Sequence, residues 1–310
     1  MIYLGIDDTD IVGSPGTNQL ARVIVRRLGS IAKGSIVCRH QLFFDPRVPY
    51  TSGNGSASIQ LPHGDEIQRS ELISMVRDVM HEWYVEGSDP GLAVATTSSP
   101  QMEAFANRAK CEVVMQAEAR TAAAASGCYL EGLGGTNQGI IGALAAIALV
   151  AGGNDGRVVH LEQWPWPDQF SGVQPVGAIR ERGVDSIRVQ SGDTFTGDVV
   201  DVGKHLRPNW RSGSVVLFVE PPPSPELPWR AMKLDGRSEK DATYNDHSPG
   251  IGIDNGNLHH GGGHGRNRAG AERRSITAAG SQERVREGLS GRDDLSDIAD
   301  KRRGPNRLSD

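Results

Sequence analysis

Apolar positions recur along the chain with two alternating periods. Residues 2–7 form a short apolar run rich in β-forming residues, and this pattern predicts a buried strand. Residues 17–28 carry apolar side chains at helical spacing and stop at a glycine, which predicts a helix with one apolar face. Further strands are expected over 35–44, 56–61, 92–96, 157–163 and 214–219, and further helices over 66–85, 102–110, 117–125 and 140–151. This rhythm predicts an α/β (α+β) chain with mixed sheets and helices.

The pattern changes near residue 236. From there to residue 310 the chain is rich in Gly, Arg, Asp, Glu and Ser, and Tyr244 is the one aromatic residue of the segment. A segment with so little apolar area cannot offset the loss of chain entropy on folding. We therefore expect a folded region over 1–235 and a low-complexity, disordered tail over 236–310.

The overall composition is that of an ordinary globular chain. Of its 310 residues, 37% are hydrophobic and 23% charged, and the formal net charge is −5. A negative net charge gives no global attraction to nucleic acid or to an anionic membrane, and the longest apolar helix, near 140–151, is too short to span a bilayer. Cys38, Cys111 and Cys128 show neither a zinc-ligand spacing nor a disulfide framework. We expect a cytoplasmic protein without structural zinc.

The strand predicted over residues 2–7 ends in a cluster of carboxylates. Asp7, Asp8 and Asp10 fall within four residues and precede a loop rich in Gly, Pro and Ser. Neighbouring carboxylates repel one another, and a hard cation such as Mg²⁺ relieves that repulsion. Ligand sites lie at such strand ends in open α/β sheets. The alternative is an Asp-rich turn whose side chains bond their own backbone, although such a turn does not need an apolar strand before it.

Two glycine-rich segments are candidates for binding phosphate. Gly53, Asn54 and Gly55 can adopt positive φ at successive residues, so their N–H groups can either point at one anion or close a tight turn. Residues 134–142 lead directly into a helix of small residues, whose N-terminus offers N–H groups and the positive end of a dipole. This second segment lacks the Lys-Ser/Thr of a Walker A loop, and close helix packing is the alternative explanation. Together with the carboxylates, this second segment predicts a metal–nucleotide site.

Several short motifs follow one another in a distinctive order between residues 1 and 235. They are Ile6-Asp7-Asp8-Thr9-Asp10, Thr17, Arg39, Pro46, Val48-Pro49-Tyr50, Gly53-Asn54-Gly55 and Gly139-Ile140-Ile141-Gly142-Ala143-Leu144-Ala145-Ala146. In this order they resemble the archaeal agmatinylcytidine synthetases of the isoleucine tRNA. The resemblance implies a kinase-like subdomain beside a ferredoxin-like subdomain, and an enzyme that uses ATP and Mg²⁺ to activate a cytidine before attaching agmatine.

The resemblance also implies roles for individual residues. Asp7, Asp8 and Asp10 would hold Mg²⁺ and act in catalysis, and Thr17 stands where the family has a phosphorylated threonine. The residues implied to line the nucleotide are Gly53, Asn54, Gly55, Gly139, Ile140 and Gly142. Because the chain carries nothing like the RNA-binding OB domain and zinc ribbon of the family, the expected acceptor is a tRNA or a smaller nucleoside, with an amine as the second substrate.

The chain departs from the family at several positions. It has Gly16-Thr17-Asn18 where the family usually has Cys-Thr-Thr, and it has Ser52, Thr136 and Gln138 at or near positions that are usually basic. Fewer cations give weaker stabilisation of phosphate charge. A non-catalytic nucleotide-binding module is therefore one alternative.

A phosphatase of the haloacid-dehalogenase type is the other alternative. Asp8 and Asp10 fit the strand-end Asp-x-Asp-x-Val pattern of those enzymes, with Asp8 as nucleophile and Asp10 as general acid. Gly192-Asp193 and Asp198 resemble the late metal-binding motif of the same class. The lysine that precedes this motif is missing, because no lysine occurs between residues 110 and 204.

Overall fold

The computed structural model describes residues 1–48, 51, 53–164, 170–224 and 226–234. The tail predicted to be disordered, residues 236–310, lies outside the described residues, and so does the boundary placed at residue 235. Pro49, Tyr50 and Ser52, from the motifs that carry the resemblance, lie outside them as well. In the described part of the chain, strands and helices alternate as the two periods predict, and the fold is mixed α/β.

Every element predicted from periodicity is present, with ends displaced by a few residues at most. The strands are β1 (Ile2–Asp7), β2 (Ile36–Gln41), β3 (Gly55–Leu61), β4 (Gly91–Ala95), β5 (Tyr129–Gly132), β6 (Arg157–Leu161), β7 (Val173–Pro175), β8 (Ser186–Val189), β9 (Val199–Asp201), β10 (Asn209–Arg211), β11 (Ser214–Glu220) and β12 (Trp229–Ala231). The α-helices are α1 (Thr17–Leu28), α2 (Arg69–Trp83), α3 (Pro100–Ala109), α4 (Gln116–Ala125), α5 (Ile140–Ala151) and α6 (Val176–Glu181), and short 3₁₀ helices span Gly29–Ala32 and Gly64–Glu66.

The strands form one mixed sheet in the described residues. Its order is β5–β4–β1–β3–β2–β6–β10–β11–β12–β9–β7, and β8 pairs with β11. The acidic strand β1 lies between β3 and β4 and is antiparallel to both, whereas β8 runs parallel to β11 and β9 parallel to β12. Both edges of β1 are therefore hydrogen-bonded, so the direction in which its last residues project is fixed by two neighbours.

Helices cover both faces of the sheet around β1. Alternate side chains of a strand point to opposite faces, and Leu4 and Ile6 are fully buried in the apolar cluster formed with α1 and α2. The opposite face is covered by α5, which is buried along almost its whole length and of whose residues half are Gly or Ala. Small side chains let a helix approach a sheet closely, so the first turn of α5 reaches the end of β1.

The second half of the sheet, β6 to β12 with α6, has an apolar cluster of its own that includes Ile179, Val200 and Leu217. Cys38, Cys111 and Cys128 are free thiols. None of the helices in the described ranges combines the length and the apolarity needed to cross a bilayer.

Candidate functional site

A cavity of about 330 Å³ opens where β1 and β2 end and β3 begins. Two helices on opposite faces of the sheet, α1 and α5, both begin at its wall. The lining residues are Asp7, Asp8, Asp10, Gly16, Thr17, Asn18, Arg39, Leu42, Phe43, Arg47, Val48, Thr51, Gly53, Asn54, Gly55, Ala109, Glu112, Val113, Val114, Met115, Gln138, Gly139, Ile141 and Gly142. The fold thus gathers the three predicted carboxylates, Thr17 and all but one of the predicted nucleotide-lining residues around one cavity.

Asp7 projects beneath the first turn of α5. A β-carbon at Gly142 would overlap Oδ2 of Asp7, so only glycine permits this contact. Burial raises the pKa of Asp7 to about 8; Asp8 and Asp10 push it in the same direction, and Arg39 pushes it down. A carboxyl group that is protonated near neutral pH becomes ionised when a cation binds beside it. Asp7 is therefore placed where a cation would change its charge.

Asp8 turns the chain away from the sheet. Its φ is 53°, a left-handed conformation that Asp tolerates better than most residues. Burial raises the pKa of Asp8 to about 6, and the charges of Asp89 and Asp10 add to this effect. Asp89 lies two residues before the start of β4 and was not among the residues that the sequence singled out. The acidic end of β1 thus faces a fourth carboxylate that comes from another loop.

Asp10 and Thr17 are bonded to each other at the start of α1. The Thr17 hydroxyl donates to Oδ1 of Asp10 over 2.9 Å, and the Thr17 backbone N–H donates to the same oxygen over 3.3 Å. Thr9 in turn donates its hydroxyl to Thr17 Oγ1 over 3.1 Å. Gly16 offers no side chain to cap α1, so Asp10 caps the helix from a distance. The same bond places a carboxylate where it can accept the hydroxyl proton of Thr17.

The three carboxylates do not form a ready-made metal cage. In the described residues, no group of three or more His, Cys, Asp or Glu side chains is arranged to hold a metal ion. Asp7 projects under α5, Asp8 faces Asp89 and Asp10 bonds Thr17, so the three side chains diverge. Mg²⁺ commonly takes only one or two protein carboxylates and completes its shell with water and substrate phosphates. The donors present fit an ion that arrives with a nucleotide.

Gly53, Asn54 and Gly55 line the cavity beside Arg39. The Arg39 guanidinium lies against Gly55, with Nη2 about 2.6 Å from where a β-carbon would stand, and it donates to Oε1 of Gln41 over 3.0 Å. Asn54 donates its side-chain N–H to the Phe43 carbonyl over 2.8 Å. The turn is therefore fixed to β2 and its extension. Arg39 brings a positive charge to the cavity, and this charge acts on the carboxyl of Asp7.

The start of α5 contributes Gly139 and Gly142 but not Ile140. Gly139 packs so closely on the backbone of Gly91 that a β-carbon on either residue would overlap the other. The side chain of Ile140 is fully buried in the apolar cluster formed with α3 and α4, and it is not among the lining residues. Of this segment, only residues on the cavity side of the first turn can reach a ligand.

One wall of the cavity is apolar. Leu42 and Phe43 follow β2, and Val113, Val114 and Met115 come from the connection between α3 and α4. Val114 is buried, while Met115 is 63% exposed at the rim. The cavity therefore has one end rich in charge and backbone N–H groups and another that suits a flat apolar ring.

Sequence reasoning assigned no role to several residues that lie at the site. Arg39 and Arg47 line the cavity; Arg39 stands among the motifs that carry the resemblance, but an arginine within a strand or a loop carries no local signal that separates it from a solvated one. Asp89 and the apolar wall come from distant segments. Asp193 and Asp198, which the phosphatase alternative needs, do not line the cavity.

Comparison with known proteins gives a partial likeness to solved structures. No protein-family model matches the chain, and no curated protein matches it. The complex of TiaS with tRNA(Ile2) and ATP has a TM-score of 0.42 at 22% identity, covering 57% of this chain and 42% of that one. Apo TiaS, a tRNAIle2 agmatidine synthetase, has a TM-score of 0.38 at 24% identity, covering 47% and 35%. A tRNA fluorescent labeling enzyme has a TM-score of 0.39 at 23% identity, covering 56% and 41%. The chain spans about two fifths of the length of these structures and is similar to them over that part alone.

Proposed function

We propose that the chain is an ATP- and Mg²⁺-dependent phosphoryl-transfer or ligase enzyme. Its expected acceptor is a cytidine-like nucleoside, in a tRNA or smaller, and its expected second substrate is an amine. The observation that carries the proposal is the convergence of the carboxylates of β1, the N-termini of α1 and α5 and the guanidinium of Arg39 on one cavity. Phosphoryl transfer depends mainly on neutralising charge and on aligning the reacting atoms. A bound cation, the helix N-termini and Arg39 would neutralise charge, and the walls of the cavity would align the reactants.

The charged end of the cavity suits a triphosphate. Gly139 and Gly142 line the cavity at the start of α5. The N–H of Gly139 is itself bonded to the Asp89 carbonyl, so this helix start favours a phosphate mainly through the positive end of its dipole. Arg39 lies against Gly55 and lines the same cavity, where its charge would offset that of a phosphoryl group. Asp7 and Asp8 would hold Mg²⁺ together with phosphate oxygens, and Mg²⁺ would neutralise the charge that develops on the transferred group.

The apolar end of the cavity suits a base. Leu42, Phe43 and Val114 offer a surface for a ring, and a volume of about 330 Å³ is at the lower end of the usual range for ligand pockets. One nucleotide therefore occupies most of the enclosed space. The acceptor would enter through the open side, past Met115.

Thr17 is the proposed phosphoacceptor on the protein, by the resemblance noted in the sequence. Its hydroxyl already donates to Asp10, so Asp10 can take the proton as the oxygen attacks. Transfer would form a bond from Thr17 Oγ1 to phosphorus and break the bond between that phosphorus and the bridging oxygen of the nucleotide.

The test is ATP turnover with Mg²⁺ by the full chain, with products and protein phosphorylation read by mass spectrometry. Wild type is compared with Asp8→Asn and Thr17→Ala, and with Asp78→Asn as a control on the exposed face of α2. We expect turnover by wild type and the control, loss in Asp8→Asn, and no phosphate on the protein in Thr17→Ala. Binding of ATP without any turnover by wild type would refute the enzymatic proposal.

A non-catalytic nucleotide-binding module is the second candidate, and the divergence of the three carboxylates favours it. Such a module would bind ATP without cleaving it and would not depend on Thr17. The same experiment separates the two, since only the enzyme yields products.

A further inference from the structure

A loop that sequence reasoning did not single out connects the two halves of the site. Residues 85–90 precede β4 and are bonded to both sides. On one side, the Val85 N–H donates to the carbonyl of Thr9 over 3.3 Å, within the turn that follows β1. On the other side, the Pro90 carbonyl accepts from the Leu133 N–H over 2.8 Å. The loop is thus a bridge from the acidic turn to the segment before α5.

Asp89 is the centre of this bridge. Its carboxylate accepts from the backbone N–H of Thr136, and its Oδ2 accepts from the Thr136 hydroxyl over 2.5 Å. Its own carbonyl accepts from the Gly139 N–H over 3.0 Å. Three hydrogen bonds therefore join Asp89 to the glycine-rich loop, residues 134–139: two to Thr136 and one to Gly139.

The glycine-rich loop is built to receive this side chain. Gly135 has a φ of 59° and lies so close to Asp89 that a β-carbon there would overlap Oδ1. Asn137 also has a positive φ, 63°. A left-handed conformation costs glycine little, but at other residues such as Asn137 it is costly and persists where surrounding contacts impose it. The Asp89 carboxylate supplies such contacts, because hydrogen bonds to a charged group are stronger than neutral ones.

We propose that Asp89 is a positioning residue that fixes the glycine-rich loop, and with it the first turn of α5, in the conformation that receives the nucleotide phosphates. Both carboxylate oxygens of Asp89 are engaged by Thr136, so Asp89 holds the loop directly. Its charge also acts on Asp8, and Thr136→Val breaks the contact with the loop while leaving that charge in place. The inference rests on the proposed function. Without the contacts between Asp89 and Thr136, part of the free energy of nucleotide binding would be used to order the loop, and the affinity for the nucleotide would fall accordingly.

The experiment uses the full chain and measures the affinity for a non-hydrolysable ATP analogue with Mg²⁺ by calorimetry. Asp89→Asn replaces one acceptor oxygen with a donor, and Thr136→Val removes the hydroxyl of an exposed residue. Thr136→Ser keeps both the backbone N–H and the side-chain hydroxyl that donate to Asp89, and it serves as the conservative variant. Glu86→Gln, an exposed acid in the same loop, is the matched control.

We expect Asp89→Asn and Thr136→Val each to weaken binding by about tenfold, the equivalent of ~1.4 kcal/mol. The double variant should be no weaker than the poorer single variant, since the two changes break the same contact. Thr136→Ser and Glu86→Gln should bind as wild type does. Hydrogen exchange of the chain without nucleotide should be faster at residues 136 and 139 in Asp89→Asn, with an unchanged midpoint of thermal unfolding.

Three results would overturn the inference, and they can be told apart. If wild type binds the analogue and both variants, Asp89→Asn and Thr136→Val, bind it equally well, the contact between Asp89 and Thr136 has no role in binding, and only this inference fails. If wild type does not bind the analogue at all, the proposed function fails and the inference falls with it. A loss of binding in Asp89→Asn accompanied by global unfolding, with Thr136→Val unchanged, also counts against it.

Discussion

The carboxyl of Asp7 should make the metal-free protein less stable as the pH rises. Burial raises its pKa to about 8, far above the 3.8 of an unperturbed Asp. Between these two values the folded protein holds a proton at Asp7 that the unfolded chain has released. Stability therefore falls with increasing pH across this window, by up to ~1.4 kcal/mol per pH unit for one proton. From pH 6 to 7.5 the loss due to Asp7 is about 2 kcal/mol.

Chemical denaturation at a series of pH values measures this loss. The comparison is with Asp7→Asn, which keeps the shape of the side chain and cannot ionise, so its stability should lack the part of the slope that Asp7 causes. Asp78→Asn, at an exposed position of α2, should retain the wild-type slope. Parallel curves for wild type and Asp7→Asn between pH 6 and 7.5 would refute the reasoning, because they would mean that Asp7 is already ionised in the folded protein.

Mg²⁺ adds a second arm to the same experiment. In the proposed function Mg²⁺ would bind the ionised carboxylates of Asp7 and Asp8, so protons would compete with it. Saturating Mg²⁺ should stabilise wild type more at pH 8 than at pH 6, and this difference should shrink in Asp7→Asn to the part that the Asp8 carboxyl causes, since burial raises the pKa of Asp8 to about 6. Stabilisation that is equal at both pH values would show that Mg²⁺ binds elsewhere.

Two further variants test the packing around the site. Gly142→Ala places a β-carbon on the Asp7 carboxylate beneath α5 and should reduce Mg²⁺-dependent nucleotide binding at least tenfold. Its control is Gly177→Ala in α6, where a β-carbon meets no atom within 4 Å and binding should stay unchanged. Equal binding by both variants would contradict the close contact between Gly142 and Asp7. Lys110→Met should lower the free energy of unfolding by about 3–5 kcal/mol, because it leaves the buried Asp155 carboxylate without the Lys110 ammonium that now lies 2.6 Å away. Lys33→Met, at an exposed position, is the control for denaturant unfolding, and similar losses in the two lysine variants would argue against a buried ion pair.

The local pattern of the sequence is sufficient to predict the elements that hold the site. The apolar run of β1, the helical spacing of α1 and the small residues of α5 each follow from a period that is visible within a few residues. The same segments carry Asp7, Thr17 and Gly142, and all three line the cavity. The strands of three residues, such as β7 and β10, are too short to show a period, and their pairing alone defines them.

Only the tertiary structure decides how the predicted residues are used. Ile140 follows a lining glycine yet is buried in the core, because the direction of a side chain on the first helical turn depends on which face of α5 meets the sheet. The three carboxylates are adjacent in sequence but diverge, because the end of β1 turns through a left-handed residue at Asp8. Arg39 and Asp89 join the site through strand pairing and loop contacts between residues far apart in the chain. The sequence by itself determines which chemical groups are available at the end of a strand and at the start of a helix, since those depend on local periodicity. Their distances, charges and partners depend on long-range packing, which no local pattern encodes.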